Sequence, residues 1–182
     1  ISVSSGYKLS TIQLLHNLEQ AYILDLGKSS NGRENEYLSL ARMIAHKTYI
    51  SLELLTSRAR GESKYDKNFI EGFLSTSQES YMMHQGEKFI QRFTLESYNS
   101  IIKGWQNFYI DTKEIKKLEN INVLIVSVDS DVCFYPEDQI EFANLLKENG
   151  IKTTEKFINS TKGHDCFLLE PELFKDVFQN FI

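Results

Sequence analysis

The chain has 182 residues, with 20 Lys and Arg against 25 Asp and Glu and a formal net charge of −5. With 41% hydrophobic and 25% charged residues it has the make-up of a folded domain rather than a disordered tail, and its length encloses one sizeable core more readily than two. The acidic balance, with no basic stripe, speaks against a nucleic-acid or anionic-membrane surface. The strongest apolar run, Val123-Leu124-Ile125-Val126, falls far short of a membrane span, so neither nucleic acid nor membrane is expected as a partner.

The chain opens on Ile1-Ser2-Val3-Ser4-Ser5, a β-type segment with no initiator Met and no leader pattern. It reads as the middle of a fold, so the sequence is expected to be a piece of a larger protein. Ser10-Thr11-Ile12-Gln13 is a capping box, followed by Ile12, Leu15, Leu18 and Tyr22 at helical spacing. Residues 27–34 form a polar loop, and a second helix is expected over about Tyr37–Ser57, with Leu40, Ile44 and Leu55 among its apolar positions. Residues 60–68 are a charged connection. Two more helices are expected over Ile70–Gly86 and Glu87–Tyr109, rich in aromatic residues.

The pattern changes after residue 111. Asn122–Val128 is a β-branched run without alternation, as expected of a covered strand. Pro136 suits the first position of a helix, with Glu137 and Asp138 in its first turn and Gly150 just past its end. Thr153–Ile158 reads as a second strand, residues 159–165 as a loop, and Pro171 as the start of a last amphipathic helix through Leu173, Val177 and Phe181. This β-α-β-α order makes the C-terminal third α/β, with the helical middle hundred residues as an insertion or cap. Cys133 and Cys166 are too few for a disulfide framework and point to a reducing, cytoplasmic setting.

Asp131 lies just past the first of these strands and His164 just past the second. One parallel strand-helix-strand unit puts both strand ends on one edge, where ligands and catalysts of open sheets collect. A carboxylate reaching a histidine there is the orienting half of a hydrolase triad: the acid fixes the tautomer and the imidazole shuttles the proton. The same residues also fit a structural Gly-His-Asp turn and an acid that caps the next helix. A nucleophile is not apparent. No G-x-S-x-G occurs, Gly27-Lys28-Ser29-Ser30-Asn31-Gly32 has the wrong spacing, and Cys166 reads as a small buried thiol.

Arg42, His46 and Tyr49 fall near one helix face, and a guanidinium beside a phenol can receive a carboxylate. A surface Arg and a half-buried Tyr fit the same residues. His46 and His84 lack further ligands at metal spacing, so no metal site is expected.

Several runs are familiar. Leu40-Ala41-Arg42-Met43-Ile44-Ala45-His46-Lys47-Thr48-Tyr49 resembles the A-R-x-I-x-x-x-T-Y helix of homoserine O-acetyltransferases. Glu79-Ser80-Tyr81, Gln85-Gly86-Glu87-Lys88-Phe89 and Arg92-Phe93 resemble their E-S-Y…Q-G-x-K-F…R-F segment. Val128-Asp129-Ser130-Asp131 with Phe134-Tyr135-Pro136 is similar to the strand-end S-D…P motif, and Gly163-His164-Asp165-Cys166-Phe167-Leu168 to G-H-D-x-F-L. The resemblance, spread over most of residues 1–171, implies the C-terminal part of an α/β-hydrolase fold: a mostly parallel sheet with an inserted helical lid. It divides the chain into a core strand (1–8), the lid and its connecting helices (9–111) and a C-terminal core segment (112–182).

It implies further that Asp131 and His164 are the catalytic acid and base, with Asp129 a nearby rival. Arg42, Tyr49 and Asp165 become substrate contacts, Arg42 toward an amino-acid carboxylate and Asp165 toward its ammonium. The implied activity is acetyl transfer from acetyl-CoA to the hydroxyl of L-homoserine by a ping-pong Ser-His-Asp mechanism in methionine biosynthesis. No cofactor is implied beyond acetyl-CoA as co-substrate, and a homodimer through the lid is. The nucleophilic Ser belongs to an upstream segment, so this chain alone is expected to be inactive. Serine acetylation, a succinyl donor, esterase activity and an inactive folding or dimerisation piece are the alternatives. The stretch Lys103-Gly104-Trp105-Gln106-Asn107-Phe108 departs from the family pattern by lacking acidic residues, and Cys133 and Cys166 stand where aliphatic or small residues are more usual.

Overall fold

A computed structural model describes residues 4–60 and 76–181. The chain divides into two compact units. One comprises Ile1–Leu14, Thr48–Ser51 and Asn107–Ile182; the other comprises Leu15–Lys47 and Leu52–Gln106.

The second unit is helical. It is built from most of α1 (Thr11–Lys28) and α2 (Glu34–Tyr49), with α3 (Leu52–Arg58), α4 (Ser77–Ile90) and α5 (Leu95–Gln106). The Ser10 capping box forms as expected: the Ser10 N–H donates to Gln13 Oε1 at 2.8 Å, and the Gln13 N–H to Ser10 Oγ at 3.4 Å. Leu24, Leu38, Ala41, Phe89, Leu95, Tyr98 and Ile102 form the core of this unit. The Phe89 ring stacks on Phe93 at 4.5 Å and meets Tyr98 edge-on at 4.8 Å. Along α1 the buried positions are Gln13, Asn17, Gln20, Leu24 and Gly27, and Gln20 Oε1 accepts a 2.6 Å hydrogen bond from the Tyr98 hydroxyl. The apolar row Ile12, Leu15, Leu18 and Tyr22 is exposed.

Two helix boundaries differ from expectation. The helix expected over Tyr37–Ser57 is broken at Ile50-Ser51, because there the backbone bonds elsewhere: the Asp165 N–H donates to the Tyr49 carbonyl and the Ser51 N–H to the Lys162 carbonyl. The boundary expected at Gly86 lies instead at Gln91–Thr94. Gly86 sits inside α4, where a Cβ would collide with Ser39, so this glycine serves close helix packing rather than a turn. α4 begins at a capping box on Thr76 and Glu79. The expected start of that helix at Ile70, and most of the 60–68 connection, lie outside the described residues.

In the first unit, β1 (Val123–Val128) and β2 (Thr153–Ile158) pair in parallel, with Val123 opposite Thr153 and Val128 opposite Ile158. The α7 helix (Pro136–Glu148) connects them and has Pro136 at its start. Gly150, at φ +79°, takes the left-handed conformation that ends it. Short helices α6 (Thr112–Lys116), capped by Asp111, and α8 (Cys166–Leu169) were not apparent from periodicity, being under two turns long; α9 (Glu172–Gln179) closes the described chain. Ile115, Phe142, Leu146 and Ile151 pack beside the sheet, and Val128, Ile158, Cys166 and Phe174 form a second cluster at its C-terminal edge. Residues 4–8 turn at Gly6 and make one antiparallel bridge, Lys8 to Tyr109.

Candidate active site

Three consecutive side chains leave the end of β1, and each ties down a different part of the site. The Asp129 carboxylate accepts from the Ser160 N–H at 2.9 Å, fixing the chain as it leaves β2. Ser130 Oγ accepts from the Gly163 N–H at 3.0 Å, one residue before the histidine. Asp131 Oδ1 accepts from the N–H groups of Cys133 and Phe134, both at 2.8 Å, while its Oδ2 lies 2.8 Å from His164 Nδ1. Asp131 therefore does not cap the next helix, whose start at Tyr135 has no side-chain cap; it caps its own turn with one oxygen and holds an imidazole with the other.

This geometry has a chemical consequence. Asp131 is buried, 7% exposed, and a carboxylate oxygen can only accept, so the proton of a neutral His164 sits on Nδ1. Nε2 is left as the basic atom, the arrangement a proton shuttle needs. The imidazole is boxed by Phe134 edge-on at 4.6 Å, Phe167 edge-on at 5.9 Å and Tyr49 at 6.1 Å. Asp129, the sequence rival, is instead engaged with Ser160.

Gly163 takes φ +76°, and a Cβ there would lie 2.5 Å from the Ser51 nitrogen and 2.9 Å from the Ile50 carbonyl carbon. The histidine loop is thus pressed onto the break after α2. Asp165 starts α8 without capping it through its side chain, and its N–H donates to Tyr49 O at 2.8 Å. Tyr49, Asp131, His164 and Asp165 are together in the first unit. Neither thiol is a nucleophile in waiting: burial pushes Cys133 up to about 12 and Cys166 up to about 11, with the Asp131 charge adding to both. Gln13 Nε2 bonds the Cys133 carbonyl, steadying the turn that Asp131 caps.

Arg42 belongs to the helical unit. Its guanidinium carbon lies 5.0 Å from the centre of the Phe89 ring, and it helps line a cavity of about 320 Å³ with Gln85, Lys88, Phe89, Gln91 and Arg92. His46 does not join it as a receptor. It is buried, with Nε2 3.3 Å from the Tyr81 hydroxyl. Burial, then the Arg42 and Arg58 charges, lower its pKa to about 4, so it is neutral at pH 7. Ser130, Phe134, Gly163 and Phe167 were not singled out as site residues from sequence, though all four lie inside the quoted motifs, which was the signal that could have found them. Among the described residues no group of three or more His, Cys, Asp or Glu is placed to hold a metal, and no helix is long and apolar enough to cross a membrane.

Comparison with known proteins gives these local features a family setting. No family model matches the chain. It is 34% identical over 151 residues to a homoserine O-acetyltransferase of Methanosphaera stadtmanae, a match covering 80% of this chain and 31% of that protein. It is 27% identical to a homoserine O-succinyltransferase of Marinomonas sp., over 100% of this chain and 51% of that protein. The crystal structure of homoserine O-acetyltransferase from Bacillus anthracis superposes with a TM-score of 0.80 at 16% identity, covering 97% of this chain and 50% of that one. The chain thus spans about a third to a half of the length of these relatives, and its fold is part of an α/β-hydrolase fold, as its likeness to the solved α/β hydrolase MGS-M2 (TM-score 0.63, 15% identity) also shows.

Proposed function

This chain is homologous to the homoserine O-acetyltransferases, and from that premise we propose that it carries the acid-base half of a homoserine O-acyltransferase site. The observation that carries the reading is the 2.8 Å contact between Asp131 Oδ2 and His164 Nδ1 at the ends of two adjacent parallel strands. The nucleophilic serine is supplied by a segment outside these residues, and without it the chain is inactive.

In the complete enzyme, His164 Nε2 takes the serine proton as the hydroxyl attacks the thioester carbonyl of acetyl-CoA, and returns it to the departing thiolate. The acyl-enzyme then meets L-homoserine, with its carboxylate on Arg42, its ammonium toward Asp165 and Tyr49 against it. His164 Nε2 removes the proton of the γ-hydroxyl, which attacks the acyl carbonyl, and the serine leaves with that proton. The product is O-acetylhomoserine, an intermediate of methionine synthesis. Asp131 stabilises the imidazolium formed in each half-reaction. The helical lid favours transfer over hydrolysis by holding the amino acid close and limiting water. No cofactor takes part beyond the acyl-CoA co-substrate. The enzyme works in the cytoplasm as a homodimer joined through the lid.

His164→Ala in the enzyme carrying this chain is expected to lower acyl transfer at least about a thousandfold with the fold retained. Near-normal turnover would overturn the assignment. The succinyltransferase relative favours one second reading, the same reaction with succinyl-CoA. Competition between the two thioesters, and between homoserine and serine, decides donor and acceptor.

A further inference from the structure

The loop that carries His164 is held by side chains as much as by backbone. Residues 159–165 run from the end of β2 to the start of α8, and three of their N–H groups end on side-chain oxygens. The Ser160 N–H donates to Asp129 Oδ1 at 2.9 Å. The Gly163 N–H donates to Ser130 Oγ and the Lys162 N–H to Ser160 Oγ, both at 3.0 Å. Asp129 and Ser130 come from the same run as Asp131, so they fix the loop against the residue that His164 must reach. The third acceptor belongs to the loop itself, and a hydroxyl bonded to an N–H two residues on is ordinary turn chemistry. A turn does not require the next contact: Ser160 Oγ also lies 2.6 Å from Glu170 Oε2, the length of a charge-assisted bond. A carboxylate oxygen only accepts, so the Ser160 hydroxyl donates to Glu170 while its lone pair receives the Lys162 N–H. Glu170 stands just beyond α8, and its contact closes a loop of residues 160–170 with His164 inside it. Ser160 is buried and Glu170 half-buried, which shields the bond from water.

We infer that Glu170, acting through Ser160, is a positioning residue for His164: it orients the hydroxyl that fixes the loop, and the loop sets where the imidazole meets Asp131. A serine hydroxyl has three staggered positions, and donation to Glu170 selects the one whose oxygen faces the Lys162 N–H. Released from Glu170, the hydroxyl turns between wells, and the loop loosens just before Gly163 and His164. The loop keeps its other ties, among them the Asp165 N–H on the Tyr49 carbonyl, so it shifts rather than comes free. Both residues act one step removed from the reacting atoms. The effect therefore falls on proton transfer at Nε2, which depends on the orientation of the ring, and not on the amino-acid contacts. That this position serves catalysis rests on the function proposed above; the hold on His164 rests on the geometry alone.

The test uses the enzyme carrying this chain with Glu170→Ala, Ser160→Ala and the two combined, and with Glu170→Gln and Ser160→Thr as conservative variants. Steady-state kinetics with acetyl-CoA and L-homoserine are joined to proton NMR of the downfield His164 Nδ1–H resonance, which marks its bond to Asp131. Each alanine variant is expected to lower kcat about tenfold to a hundredfold with KM for homoserine little changed, and to weaken or abolish the resonance. The combined variant is expected to lose no more than either single one, because the two residues act in series. Glu170→Gln keeps the acceptor and Ser160→Thr the hydroxyl, so both are expected to keep most of the rate and the signal. A purely structural role lowers the melting temperature but leaves kcat per folded molecule and the resonance unchanged. That result overturns the proposal and leaves the acyltransferase reading intact. Losses that multiply in the combined variant also overturn it, since Glu170 then acts by a route other than Ser160. If the wild type transfers no acyl group while the resonance still depends on Glu170 and Ser160, the acyltransferase reading fails and the positioning stands. Ser160→Ala leaves Glu170 in place, so the comparison with Ser160→Thr decides the matter even if Glu170→Ala does not fold.

Discussion

Asp131 concentrates the chemistry of the site in one side chain. Its Oδ1 is pinned by two backbone N–H donors and its Oδ2 faces His164. That asymmetry makes Asp131→Asn informative. The pinned position must remain an oxygen, so the amide nitrogen is turned toward His164 and donates to Nδ1. The imidazole proton then moves to Nε2, where it blocks the base. The expected result is a loss of about ten thousandfold in kcat with little change in melting temperature, whereas Asp131→Ala also loses the cap and melts lower. A second residue-scale consequence concerns His46, 5% exposed, with its pKa lowered to about 4. The unfolded chain takes up the proton near pH 6.5 and the folded one only near pH 4. The stabilisation is therefore complete above pH 6.5 and is lost as pH falls through 4, on the order of 3 kcal/mol in all. Urea midpoints at pH 7.5 and pH 4.5 should show this loss in the wild type, and a smaller one in His46→Gln.

Elements position these residues through their ends. The interruption between α2 and α3 frees the Tyr49 carbonyl and the Ser51 N–H to bond the histidine loop, and Gly163 allows that loop to approach. Gly163→Ala combines a left-handed φ with a Cβ placed against backbone atoms, which cannot rotate away. It is expected to destabilise the fold by about 1–3 kcal/mol and to lower activity beyond what stability explains, because His164 is the next residue. Thermal unfolding and kcat of the purified variant check both. Much at this scale was legible: β1, α7 and β2 follow from a β-branched run, a proline start and a glycine stop. The break in α2 was not, because no proline or glycine marks Ile50-Ser51 and the bonds that replace the helical ones come from residues 162 and 165. Gly86 misled for the opposite reason, since a glycine needed for close packing has the same letter as one needed for a turn.

At the scale of the molecule, each compact unit has its own core. Leu38, fully buried among Leu24, Phe89 and Tyr98, serves the helical unit; Leu146, among Ile115, Phe142 and Ile151, serves the α/β unit. Leu38→Ala should cost about 2–5 kcal/mol. Native-state hydrogen exchange should show amide protection reduced first in α2, α4 and α5, with β1 and β2 less affected. Uniform loss across both units would show that they unfold as one. The buried face of α1 is also a matter of whole-unit packing. Gln13, Asn17 and Gln20 are inside while Ile12, Leu15, Leu18 and Tyr22 are exposed, the reverse of what composition alone suggests. Buried amides are favourable only when their hydrogen bonds are met, as Tyr98 and the Cys133 carbonyl do for Gln20 and Gln13.

Local sequence by itself determined the element order of the α/β segment and the placing of Asp131 and His164 at strand ends, because strand period, helix caps and motif spacing are short-range properties. It also carried the homology to acyltransferases, through runs of residues whose identities survive without their partners. Only tertiary structure decided that Asp129 is engaged by Ser160 while Asp131 reaches the imidazole, that His46 meets Tyr81, and that Arg42 shares a cavity with Lys88 and Arg92. Each of these depends on which distant backbone or side chain arrives within about 3–6 Å, and such meetings are set by the packing of elements far apart in the chain.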